Sequence, residues 1–80
     1  MKEVTVYSAP WCAGCKVVKS QLTANNIKYK EIDITTSEGG LQAKHLGIKG
    51  IPVTVITGID KLFVGSTKEI LLDIIRSAND

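Results

Sequence analysis

From Val4 to Tyr7 the residues Val-Thr-Val-Tyr all favour extended backbone, the pattern of a short strand buried on both faces and so central in a sheet covered by helices. Ser8-Ala9-Pro10 ends it. From Ala13 to about Ala24 the spacing turns helical, with Val17, Val18, Leu22 and the small Ala24 on one face. Lys16, Lys19, Ser20 and Gln21 take the rest, and Asn25-Asn26 is the stop. Lys28 to Ile34 then alternates, with Tyr29, Glu31 and Asp33 opposite Lys30, Ile32 and Ile34, as in a strand with one more exposed face. Thr35-Thr36-Ser37 offers N-caps for a second helix reaching about Leu46, with Gly47 at its C-terminus. Gly39-Gly40 costs that helix about 1 kcal/mol per glycine relative to alanine, so a frayed or late start is expected.

Ile48-Lys49-Gly50-Ile51-Pro52 leads into Val53-Thr54-Val55-Ile56, a third strand, and Thr57-Gly58-Ile59-Asp60 turns it back into a fourth over Lys61 to Val64. In the last segment Ser66 as N-cap places Glu69 at the reciprocal position of a capping box. Ile70, Leu71, Ile74, Ile75 and Ala78 follow as the apolar stripe of a closing helix. The order is β-α-β-α-β-β-α. Joined through a helix, the first two strands should be parallel, and the last two form an antiparallel hairpin. The expectation is an α/β fold, a four-stranded mixed sheet between three helices.

Eighty residues make one domain, 1–80, and 44 % hydrophobic residues with a mean hydropathy of +0.12 suffice for its core. The net charge is only +2 with lysines spread along the chain, which points to neither nucleic-acid nor membrane binding. The opening Met-Lys-Glu carries no apolar run of signal-peptide kind, and no apolar run has membrane-spanning length. A cytoplasmic location is expected.

Composition leaves one stretch with evident chemistry, Ser8-Ala9-Pro10-Trp11-Cys12-Ala13-Gly14-Cys15-Lys16, which holds both cysteines of the chain. Cys12 falls where a strand gives way to a helix N-terminus, whose unpartnered N–H groups and positive dipole end favour a thiolate. Cys15 lies about one turn on, within bridging reach. A purely structural disulfide over so short a loop contributes about 2 kcal/mol against about 5 for a long loop. Zinc is poorly served, since Cys12, Cys15 and His45 are three ligands where a closed site wants four; no metal is expected. Two inert buried cysteines are the third alternative. Pro10-Trp11 before the pair and Ala13-Gly14 within it favour an accessible turn, and in a reducing compartment such a pair is more often catalytic or metal-binding than a staple. The preferred reading is a reversible dithiol with Cys12 as nucleophile and Cys15 as resolving thiol.

Trp11-Cys12-Ala13-Gly14-Cys15-Lys16, followed in order by Gly50-Ile51-Pro52-Val53, resembles the thioredoxin fold and, in length and element order, its glutaredoxin branch. The resemblance covers essentially the whole chain. It implies a cis peptide bond before Pro52, facing the cysteines, and an Ile51 backbone free to pair with an extended substrate. Glutathione-using glutaredoxins commonly carry a basic residue where this chain has Ala9, and a Gly-Gly-Asp contact where it has Val64-Gly65-Ser66-Thr67-Lys68. Glutathione is therefore disfavoured. Trp11 and the run Phe63-Val64-Gly65-Ser66-Thr67-Lys68-Glu69 are similar instead to NrdH-type redoxins and small microbial and phage thioredoxins. That similarity implies an electron carrier that has no cofactor beyond its own disulfide, is reduced by thioredoxin reductase, and serves disulfide-bearing proteins such as ribonucleotide reductase; a monomer is the default expectation for so small a diffusible carrier. A buried acid typical of thioredoxins is missing from Val4-Thr5-Val6-Tyr7, which leaves proton transfer at Cys15 to water. The glutathione-dependent enzyme and a non-catalytic partner-binding module stand as alternatives.

The remaining candidates are supporting ones. Trp11 offers apolar docking area beside the sulfur, and Gly65 allows close approach of a partner backbone or simply shapes the entry to the last helix. Tyr7 is as readily sheet packing as site, and His45 is read as solvated. Lys16 and Lys68 can steer an acidic partner if the fold brings both near Cys12.

Overall fold

The computed structural model describes residues 2–79, so Met1 and Asp80, the ends of the expected domain, lie outside the described residues. Its elements follow the expected order: β1 Val4–Ser8, α1 Ala13–Ala24, β2 Tyr29–Asp33, α2 Ser37–His45, β3 Val53–Ile56, β4 Leu62–Val64 and α3 Lys68–Asn79. The sheet order is β2-β1-β3-β4. β1 runs parallel to β2, with Val4 beside Tyr29 and Ser8 beside Asp33, while β1/β3 and β3/β4 are antiparallel. The arrangement is that of a thioredoxin fold. β1 is central and almost wholly buried, as its unbroken β-favouring run requires.

The two sheet faces carry separate cores. On one, Val4, Val6, Ile56 and Phe63 pack with Val18 and Leu22 of α1 and Ile74 of α3. On the other, Tyr7 and Val53 pack with Ala43 of α2. The α1 face differs from the expected one. Its buried residues are Cys15, Val18 and Leu22, and Val17 and Ala24 are exposed. The three buried positions have spacings of three and four, so the cysteine takes the place that Val17 was expected to hold.

α2 also departs from expectation. It is helical from Ser37, with the Thr36 hydroxyl accepting from the Gly39 N–H at 3.0 Å. Gly39 and Gly40 do not fray it, because the helix lies against the end of β2. A Cβ on Gly39 would run into the Asp33 carbonyl, and one on Gly40 would meet the Ile34 carbonyl at 3.1 Å. Close approach outweighs propensity here. The helix ends at His45 with Leu46 as C-cap, and Gly47, at φ +74°, lies beyond it. At α3 the cap is Thr67 rather than Ser66: its hydroxyl accepts from the Ile70 N–H at 3.3 Å, which moves Glu69 out of the reciprocal position.

One buried group lacks a partner. The Thr54 hydroxyl, in the middle of β3 and fully buried, makes no hydrogen bond among the described residues. Thr54→Val keeps the shape and removes the unsatisfied group, so it should stabilise the fold by about 1 kcal/mol. Urea denaturation checks this: the midpoint should rise at unchanged slope.

Candidate functional site

The stretch leaving β1 makes a tight turn in which the Cys12 N–H donates to the Ala9 carbonyl at 3.1 Å. Cys12 is extended, at φ −93° and ψ 107°, and serves as the N-cap of α1. Its sulfur accepts from the Cys15 N–H at 3.1 Å. A sulfur in this place is held at the electropositive end of a helix with a donor aimed at it, and that environment favours the thiolate once the bridge is reduced. Cys12 and Cys15 are joined by a disulfide, their Cα atoms 5.3 Å apart. Cys12 keeps 7 % of its surface exposed and Cys15 none. Cys15 Sγ lies against the Tyr7 carbonyl at 3.9 Å. The outer sulfur is the one a partner can reach.

Around the pair the fold gathers most of the residues the sequence singled out. Ala9, Cys12 and Cys15 form a small apolar cluster with Ile34 and Ile51 against it. The Ile51-Pro52 peptide is cis, and the Pro52 carbonyl accepts from the Gly65 N–H at 2.9 Å. A Cβ on Gly14 would come within 3.1 Å of Pro52 Cδ and 3.0 Å of Ser66 Oγ. Gly14 therefore lets α1 settle on the proline, and the Gly65–Pro52 hydrogen bond sets the start of the last segment beside it. Gly65 has φ +105°, a backbone state that suits glycine alone. Trp11 is 73 % exposed, an apolar surface directly before Cys12. Pro10, Ala13 and Lys16 are exposed on the same turn. His45 is exposed on α2, beside a groove of about 500 Å³ lined by Tyr7, Leu41, Gln42, His45 and Leu46, which the cysteines do not line. Tyr7 is a packing residue whose phenol is pushed above its usual range by burial.

Two features were not legible beforehand. Ser66, read as a helix cap, instead faces Gly14. The buried Ser8 hydroxyl donates to Glu31 Oε2 at 2.6 Å, and Lys19 Nζ reaches the same oxygen at 2.7 Å. β1 itself holds no acid, but β2 places this carboxylate beside it. The Lys19 ammonium first, and then the Ser8 hydroxyl, hold the Glu31 carboxyl below its usual range. A depressed folded-state value contributes stability above the unfolded value of about 4.5, and that contribution is lost as pH falls through the folded value. Glu31→Gln should thus be less stable than the parent at neutral pH, the gap closing in acid below the ordinary carboxylate range. Urea midpoints of the two proteins across a pH series measure this.

The model of the glutaredoxin family matches residues 4–59. The chain belongs to the glutaredoxin family. This glutaredoxin-family chain is 36 % identical over 64 residues to the gene 56 protein of Mycobacterium phage L5, a match covering 78 % of the chain and 61 % of the phage protein. It is 48 % identical over 31 residues to a Mycobacterium tuberculosis protein named as a glutaredoxin, covering 39 % of the chain and 37 % of that relative. The matches thus span less than two thirds of these relatives. Among solved structures, a mutant of the thioredoxin-like protein BC3987 superposes with a TM-score of 0.78 at 28 % identity, covering 95 % of this chain and 97 % of that one. NrdH-redoxin from Escherichia coli, described as glutaredoxin-like with a thioredoxin-like activity profile, gives 0.72 at 16 % identity over 90 % and 93 %, a likeness of fold. In a glutaredoxin-family frame, the bridged Cys12-Cys15 pair is a thiol–disulfide redox site.

Proposed function

We propose that this chain is a small protein-disulfide reductase that takes its electrons from thioredoxin reductase. The observation that carries the reading is the unequal placement of the two sulfurs. Cys12 caps α1 and keeps a small exposed area, and Cys15 is fully enclosed one turn on. In the reduced protein the Cys12 thiolate attacks a substrate disulfide, forming a mixed disulfide and releasing one substrate sulfur as a thiolate that takes up a proton. Cys15 then loses its proton and attacks Cys12 Sγ. The Cys12-Cys15 bond forms, the bond to substrate breaks, and the second substrate thiol leaves. Trp11, the Ile51 backbone and Gly65 form the surface on which the substrate segment lies. Ribonucleotide reductase is the partner suggested by the likeness to NrdH-type redoxins, and the cytoplasm is the compartment in which that chemistry belongs.

Two placements support thioredoxin reductase over glutathione as the electron source. Ala9, where a glutathione contact would need a basic side chain, is buried in the cysteine cluster. Lys68 starts α3, and in the glutathione-using relatives the corresponding place is an acidic contact to glutathione, whose ammonium a lysine would meet with like charge. The test follows NADPH oxidation during reduction of a protein disulfide, once with thioredoxin reductase and once with glutathione plus glutathione reductase. Turnover only with thioredoxin reductase is expected. Turnover only with glutathione would make the chain a glutathione-dependent glutaredoxin. A Cys12→Ser/Cys15→Ser protein that still supported the biological activity would make it a binding module.

A further inference from the structure

We propose that the face around Cys12 selects partners whose disulfide is flanked by acidic residues, with Lys16, Lys49 and Lys68 providing the selection; this rests on the redox reading above. Three stretches of chain meet at that face. Gly14 of α1 packs on Pro52 and Ser66, the Gly65 N–H bonds the Pro52 carbonyl, and Ile51 packs against the Ala9-Cys12-Cys15 cluster. Each stretch carries one lysine two residues from these contacts, Lys16 after Gly14, Lys49 before Ile51 and Lys68 after Ser66. All three are exposed, and the one ion pair among the described residues, Lys19–Glu31, uses none of them.

The charge is concentrated rather than spread. The chain has 10 basic and 8 acidic residues, and the three stretches contain one acid, Glu69. Setting aside the three lysines and Glu69 leaves seven of each sign, so these three stretches carry +2 while the rest of the chain balances. Asp33, brought to the same end of the sheet by its pairing with Ser8, is on the outer strand β2. Its carboxylate accepts from the Thr35 hydroxyl and N–H. The N-termini of α1 and α3 open on the lysine face too, and α1 has no acid in its first turn. Exposed charges act over a Debye length of about 8 Å at physiological salt, so an approaching segment that docks on these three stretches meets them. They attract carboxylates and repel lysines, which sets encounter rate and partner choice more than the chemical step.

The probes are three short peptides, each with one intramolecular disulfide, whose flanking residues are Asp/Glu, Ser or Lys. Rate constants for their reduction by the pre-reduced protein are measured at low and at rising salt. The acidic peptide should react about tenfold faster than the neutral one at low salt, the lysine peptide slower, and the ratios should move toward one as salt rises. In Lys16→Glu/Lys68→Glu the acidic-to-neutral ratio should fall below one; both carboxylates lie near a helix N-terminus, where they do not weaken the fold. Dividing by the neutral peptide removes any change in Cys12 reactivity. Lys28→Glu/Lys30→Glu, at the opposite end of the sheet, should keep the parent ratio. One rate for all three peptides, or the same ratio in the Lys16/Lys68 variant as in the parent, would overturn the inference and leave the redox reading standing. No reduction even of the neutral peptide would overturn both.

Discussion

On the proposed mechanism Cys12→Ser should abolish disulfide reduction, a loss of about a thousandfold or more, because the one cysteine of the pair that keeps any exposed area is gone. Cys15→Ser behaves differently. Its Cys12 still sits at the N-cap of α1 with the residue-15 N–H aimed at it, so the first displacement proceeds at close to the parent rate. The second has no nucleophile. A covalent adduct therefore accumulates, one substrate per chain, visible by mass spectrometry and released by added thiol. Full catalytic turnover by Cys15→Ser would contradict the two-thiol scheme. The proposed roles rest on burial: Cys15 is fully enclosed, while it is bonded to the sulfur it would attack.

The largest effect on stability is expected at Gly39. Alanine is ordinarily the better helix former by about 1 kcal/mol. In α2 the sign reverses, because the added methyl would run into the Asp33 carbonyl and press on the Thr36 hydroxyl, 2.8 Å away, which caps the helix. Backbone and cap have to shift together, so Gly39→Ala should lose about 3 kcal/mol. A lower urea midpoint at unchanged slope is the expected reading, and a midpoint at or above the parent value would show that propensity governs α2.

These two positions also show where a sequence discloses structure and where it does not. The Cys12, Cys15, Pro52 and Gly65 cluster was legible because each residue has a local reason to be there. A helix start, a strand start and a turn are written in neighbouring residues, and the likeness to redoxins brought them together. The identity of the buried face of α1 was less accessible. Val17 and Val18 are adjacent valines, and only Cys15 facing the sheet decides that Val18 goes in and Val17 out. Ser66 and Thr67 are equally good caps by composition, and the choice falls to Thr67 because Ser66 is placed against Gly14. The Ser8–Glu31–Lys19 contacts join three elements through one carboxylate oxygen, which no pattern within a single segment displays. Gly39-Gly40 was misread for the same reason, since what demands glycine there is a carbonyl on another element.

The central claim is that Cys12 and Cys15 exchange two electrons with a substrate disulfide. Mixing the fully reduced chain with one equivalent of a protein disulfide and counting thiols on both proteins by mass spectrometry after alkylation tests it most directly. The account predicts that the substrate gains two thiols while this chain loses both of its own and carries a Cys12-Cys15 link. A substrate left oxidised beside a chain that retains two free thiols would contradict it.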